Sequence, residues 1–175
     1  MENELATLFA DSAVRRLRQY RDRIEKCVHA LAEDQIWARG SENENAIGNL
    51  ILHLEGNVRQ WILGGVDGQP DHRVRDVEFS TRGDVSTGQM WEKLNATVEE
   101  AATVTGSLTG RELVEKVTIQ GYPVSKLEAV FHVVEHFALH SGQIMFATKM
   151  LTHQDLGFYK HLGSITAPAH REQTP

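Results

Sequence analysis

The chain has 175 residues, 41% apolar and 24% charged, a balance that suits one globular domain and excludes a fibrous or fully disordered chain. Its formal net charge of −6 speaks against a broad nucleic-acid-binding face, and the Arg-rich run from Arg15 to Arg23 reads as a solvated helix face. The single cysteine, Cys27, excludes an intrachain disulfide, and no segment approaches the roughly 20 apolar residues of a membrane span. The acidic start Met1-Glu2-Asn3-Glu4, with no apolar run behind it, does not read as a secretory signal, so a cytoplasmic location is expected.

The first helix is predicted over residues 4–32. Leu5, Phe9, Ala13, Leu17, Tyr20, Ile24, Cys27 and Leu31 recur at three- and four-residue spacing and form one apolar stripe. Cys27 lies on that stripe as a core filler rather than a nucleophile. Residues 39–45 are polar and turn-forming. The second helix is predicted over residues 46–63, with Ile47, Ile51, Leu54, Val58, Trp61 and Ile62 on one face and Gly64-Gly65 as its stop.

Residues 66–85 read as a long loop, rich in Gly, Asp and Arg, and a candidate lid or rim. Ser86-Thr87-Gly88-Gln89 is a capping box that opens a third helix reaching about residue 108. Residues 113–124 are rich in β-branched side chains and hold Gly121-Tyr122-Pro123, which suits a short extended segment or hairpin. Ser125-Lys126-Leu127-Glu128 is a second capping box, and the fourth helix runs from it to about residue 151. The expected architecture is all-α, an antiparallel four-helix bundle over residues 1–165, followed by a flexible tail over residues 166–175.

The chemistry concentrates on the fourth helix. Residues four apart differ by about 40° around a helix and about 6 Å along it, so His132, His136, His140 and nearby Gln143 share one ridge. Two imidazoles at i and i+4 can reach one metal ion. His53 sits at the edge of the apolar face of the second helix, and His136 occupies the same kind of edge on the fourth. If those faces pack together the two edges meet; the opposite rotation turns His53 away. Polar groups brought together inside need a shared partner, and a metal ion supplies one.

Asn49-Leu50-Ile51-Leu52-His53-Leu54, together with His136-Phe137-Ala138-Leu139-His140-Ser141-Gly142-Gln143-Ile144, resembles the DinB-like (YfiT-like) metalloenzyme superfamily. The resemblance spans nearly the whole chain, and Arg73-Val74-Arg75-Asp76-Val77-Glu78-Phe79 looks like a subgroup signature within it. It implies a four-helix bundle, often a homodimer, with zinc or nickel held by His53, His136 and His140. His132, one turn ahead of the pair, is a candidate fourth ligand or a support behind the ligands. Characterised members include transferases and isomerases that use low-molecular-weight thiols, so a thiol cofactor and a small-molecule substrate are expected, with neither nucleic acid nor membrane as partner.

Three neutral imidazoles suit zinc, nickel, iron or copper, and three protein ligands leave a coordination position open, as in catalytic sites. The expected reaction is attack by an activated thiol or water on a small electrophile. The alternatives are a non-catalytic metal-binding bundle, stress-related or scavenging, and a helical dimer with a vestigial cluster. Glu135 flanks the ridge as a candidate catalytic base, or as half of a structural ion pair. Gln143 is placed to fix the tautomer of a ligand histidine, or to make a helix contact. Asn57 reads as an interhelical hydrogen-bonding residue or pocket lining, Trp61 as core. Arg73, Arg75, Asp76 and Glu78 read as ion pairs pinning the loop, or as a grip on an anionic thiol cofactor. His29, His72, His153, His161 and His170 show no spacing that ties them to the site.

Overall fold

The computed structural model describes residues 2–160. Those residues are mostly helical, with one two-stranded antiparallel sheet. The expected tail over residues 166–175 lies outside the described residues. No described helix is long and apolar enough to cross a membrane.

Helix α1 (Glu2–His29) buries Ala6, Ala10, Ala13, Leu17, Ile24 and Cys27. The apolar stripe is therefore rotated at its start: Ala6 and Ala10 face inward, whereas Leu5 is 69% exposed. A four-residue helix, α2 (Glu33–Ile36), and a turn-rich segment lead to α3 (Ile47–Val58). Helix α3 is buried on nearly every side, and it carries Asn49, His53, Glu55 and Asn57 inside. Burying four polar side chains on one short helix is costly unless each finds a partner, so α3 is where function is to be sought.

Gly64-Gly65 does not end the second helix as predicted. The chain widens into a π-helical segment, Arg59–Val66, that runs through both glycines. The Asp67 N–H donates to the Ile62 carbonyl at 2.9 Å, five residues back. At Gly65 the reason for a small residue is lateral: a Cβ there would collide with the side chain of Ile119. The predicted long loop is also interrupted, by α4 (Arg75–Ser80).

Helix α5 (Thr87–Ser107) starts at the predicted box, with the Ser86 hydroxyl accepting from the Gln89 N–H. A similar box at Thr109 and Glu112 opens the short α6 (Gly110–Leu113). The predicted hairpin is β1 (Lys116–Ile119) and β2 (Tyr122–Ser125), paired from Lys116↔Ser125 to Ile119↔Tyr122. Its two-residue turn, Gln120-Gly121, has positive φ at both positions, the twist that closes a tight hairpin. Ser125 and Glu128 then cap α7 (Lys126–Thr152) as predicted.

Residue pairs set the helix senses. Arg18 meets Glu99 while Arg21 meets Asn95, so α1 and α5 run oppositely. Glu55 meets Lys93 and Arg59 meets Thr97, so α3 and α5 run the same way and depart from the antiparallel order expected, because the long connection through α4 returns the chain to the end where α3 began. His53 meets His136 while Trp61, further along, meets His132, so α3 and α7 run oppositely. The last pairing lays His53 of α3 and Trp61 of the π-helical segment against the α7 histidine ridge. Phe137, Val133 and Ile144 of α7 close the core behind them, fully buried.

Candidate metal centre

His53, His136 and His140 converge where α3 crosses α7. Their ring centroids form a small triangle with sides of 4.9 Å (His53–His136), 5.1 Å (His53–His140) and 4.4 Å (His136–His140). The rotation that the sequence left open is thus the one that turns His53 inward. One ligand atom from each ring lies within 4.8 Å of the other two, and the Nε2 atoms of His53 and His136 are 2.9 Å apart. Three nitrogens on one zinc at 2.0–2.1 Å would stand about 3.3 Å apart, within that spread. The residues present therefore fit a divalent ion.

The hydrogen bonds behind the rings decide which nitrogen faces the centre. Nδ1 of His140 lies 2.6 Å from Oε1 of Gln143, an acceptor, so Nδ1 carries the proton and Nε2 keeps its lone pair. Nδ1 of His53 lies 2.8 Å from Oε2 of Glu78, with the same consequence. Of the two readings offered for Gln143, the structure has the hydrogen bond to a candidate ligand histidine. Burial, joined by the neighbouring His140, His53 and His132, pushes the pKa of His136 down to about 3. Burial also lowers His140, against the raising hydrogen bond to Gln143. Both rings are therefore held neutral, which is the form that ligates a metal.

The carboxylate that grips His53 comes from α4, and three features of α3 dock α4 there. Asn49, one turn before His53, donates its amide to the carbonyls of Glu78 (2.7 Å) and Thr81 (3.0 Å). Gly56 leaves room: a Cβ there would collide with Oε1 of Glu78 and lie 2.9 Å from Nε of Arg73. Phe79 lies across the His53 ring at 4.8 Å, and the Arg75 guanidinium lies over Phe79 at 4.9 Å. Arg73 completes the group, donating to Glu78 through Nε (2.6 Å) and Nη2 (2.9 Å). Its Nη1 donates to Gln60, whose own amide donates to Asp71. Burial alone would raise the pKa of Glu78; the hydrogen bonds and charge of Arg73, with those of His53, reverse that and hold it below the ordinary carboxylate range.

Of the ion pairs expected along residues 73–78, Arg73–Glu78 forms, and it reaches on to the candidate ligand His53; Arg75 and Asp76 join no ion pair among the described residues. The sequence analysis missed that link and the part played by Asn49 and Gly56. One signal was available: a glycine inside an apolar helix costs about 1 kcal/mol against alanine, so Gly56 marked a close approach.

The remaining candidates fall around the cluster. His132 stacks on Trp61 at 4.0 Å and on His136 at 5.6 Å, outside the three converging ligands. Trp61 is buried, as expected of a core residue. Asn57 is buried too, but its Oδ1 has no hydrogen-bond partner among the described residues. Glu135 is exposed and makes no hydrogen bond or ion pair among the described residues, so the structure does not bring it into the cluster. Cys27 is fully buried, and burial raises its pKa. His72 lines a cleft of about 370 Å³ with Glu55, Arg59, Arg73, Glu78 and Lys93, a lining that does not include His53. His161 and His170 lie outside the described residues.

The fold is similar to that of a conserved protein from Enterococcus faecalis known from its crystal structure, at a TM-score of 0.69 and 12% identity. The match covers 82% of this chain and 97% of that one, and at this identity it speaks for the fold alone. No curated protein matches the chain. Residues 4–163 match the family described as protein of unknown function (DUF1572), and the chain belongs to that family.

Proposed function

We propose that the protein is a metal-dependent enzyme of DinB-like type, a four-helix bundle that acts on a small electrophilic substrate by transfer or hydrolysis. The observation that carries this reading is the set of three converging imidazoles, two with Nδ1 tied to an acceptor and Nε2 left for a metal. Zinc or nickel suits such a donor set. A divalent ion bound there supplies Lewis acidity and brings the pKa of a neighbouring water or low-molecular-weight thiol toward neutrality. His53, His136 and His140 hold the ion. Glu78 and Gln143 orient two of those rings, and Arg73 keeps Glu78 ionised.

A second reading, a metal-binding module without turnover, has one observation in its favour. The 370 Å³ cleft beside the centre is lined by Arg73 and Glu78 and not by the histidines themselves. Metal analysis of protein purified without an affinity tag, beside His53→Ala and His140→Ala, tests the shared part of both readings. One ion per chain is expected in the parent and a large loss in each variant; sub-stoichiometric metal that neither substitution changes would sink both. A screen of several thiols with small electrophiles separates them. Turnover that disappears in His140→Ala supports the enzyme, and a full metal site without turnover supports the module.

A further inference from the structure

The Arg-rich face of α1 borders a cleft of about 800 Å³, within the size range of small-molecule sites. Arg15, Arg16, Arg23 and Lys26 line it from α1, and Phe158 and Tyr159 line it from the segment after α7. None of the candidate metal ligands belongs to this lining. Among the described residues the ion pairs of α1 are made by Arg18 and Arg21, which meet Glu99 and Asp22. The one acid in the lining, Asp22, is therefore spent on Arg21. Four cations share one concavity with no carboxylate set against them among the described residues, and like charges held together repel.

The two ends of the cleft differ. At one end Arg15 donates to the Ser12 hydroxyl at 3.0 Å, and Arg16 donates to Oε1 of Gln19 at 2.9 Å. These neutral acceptors orient the guanidinium groups without cancelling their charge. At the other end the Arg23 guanidinium lies 5.7 Å from the ring centre of Phe158 and 5.5 Å from that of Tyr159. The Lys26 ammonium lies 5.6 Å from the Phe158 ring. Tyr159, 61% exposed, presents an aromatic surface there. Arg16 and Arg23 are seven residues apart, about 10.5 Å along the helix.

We propose that this cleft binds a small organic phosphate that ends in a flat ring, of the nucleoside diphosphate class. Its phosphates meet Arg15 and Arg16, and its ring packs on Tyr159 beside Arg23. Charge favours phosphate over carboxylate, because a phosphate group carries about 1.5–2 negative charges near neutral pH and a carboxylate one. An arginine fork also takes two phosphate oxygens at once. Net charge limits the size of the ligand. A long polyanion such as nucleic acid would run past the cleft onto a chain of net charge −6, which repels it, whereas a small anion meets only the basic strip.

Calorimetric titration of the full chain with ADP tests this, beside pyrophosphate and adenosine alone. Saturable binding of ADP is expected, weakening as salt is added. Pyrophosphate, which lacks the ring, and adenosine, which lacks the phosphates, should each bind on the order of tenfold more weakly or worse. Arg15→Glu/Arg16→Glu, at two exposed positions, should weaken ADP and pyrophosphate alike by on the order of a hundredfold. Tyr159→Ala should weaken ADP by on the order of tenfold and leave pyrophosphate unchanged. Circular dichroism checks that both variants fold. His53→Ala should bind ADP as the parent does, which separates this site from the candidate metal centre. Absence of saturable binding, binding that Arg15→Glu/Arg16→Glu leaves intact, or binding lost in His53→Ala overturns the site. Pyrophosphate as tight as ADP overturns the ring contact, and a single-stranded oligonucleotide that displaces ADP at lower concentration overturns the limit on size.

Discussion

Glu55 and Glu78 lie on either side of Gly56, both nearly buried, and both are answered by arginine. Glu55 accepts from Nε of Arg59 at 2.8 Å and from Thr97 at 2.9 Å, and pairs with Lys93 at 3.2 Å. All of its partners hold α3 to α5. Glu78 accepts from Arg73 and turns its second oxygen to His53. Their side-chain exposures are alike, 7% and 9%, so burial does not distinguish them. Their cations differ: Arg73 is 4% exposed, whereas Arg59 is 38% and Lys93 60% exposed. A buried carboxylate paired with arginine is by itself a structural device. What sets Glu78 apart is that its remaining acceptor holds a candidate ligand histidine.

That contrast can be put under load. Glu78→Ala should have the largest effect, because it leaves Arg73 buried without a counter-charge: a stability loss of about 3–5 kcal/mol, read by denaturant unfolding. The same variant should bind metal about 10–100-fold more weakly in a chelator competition. Equal metal affinity in parent and variant would break the contrast. Glu55→Ala should cost less, about 1.5–3 kcal/mol, because Arg59 and Lys93 can turn to water, and it should leave metal affinity unchanged.

Gly56→Ala sharpens the comparison from between the two acids. Helix propensity favours the alanine by about 1 kcal/mol, yet its Cβ would displace Glu78 and Arg73. A net loss of about 1–3 kcal/mol, with weaker metal binding, is expected; a stabilised variant would mean that α4 does not rest on α3 as described.

The smallest effect belongs to a carboxylate at the surface. The backbone N–H of Ser125, then its hydroxyl, then Lys116 hold Glu128 at about 2 instead of 4.5. A carboxylate with a depressed pKa contributes stability that is complete above about pH 4.5 and lost as the pH falls through about 2. A carbon NMR titration of Glu128 should show the midpoint near 2, and a midpoint near 4.5 would mean that the cap at the start of α7 does not form.

What was legible in the sequence was short in range. The boxes at Ser86 and Ser125 join residues three apart, and the α7 histidines share a ridge because a helix repeats every 3.6 residues. The place of His53 followed from helix phase once two apolar faces met. What was not legible depends on the chain folding back on itself. Glu78 lies 25 residues from His53, and no periodicity connects them. Helices α2, α4 and α6 span four to six residues, too few to show a period. Gly64-Gly65 looked like a stop because local rules cannot see Ile119, the side chain that Gly65 makes way for.

The widened turn after α3 has an optical consequence. It carries Trp61 to within 4.0 Å of the His132 ring, and His132 lies in turn on His136. An indole in contact with an imidazole loses emission by quenching, to a degree set by the proton and position of that imidazole. The indole is therefore two ring contacts from the candidate ligands. One of the chain's three tryptophans is thus a fluorophore at the edge of the candidate centre, and comparison with Trp61→Phe would isolate its emission from that of Trp37 and Trp91.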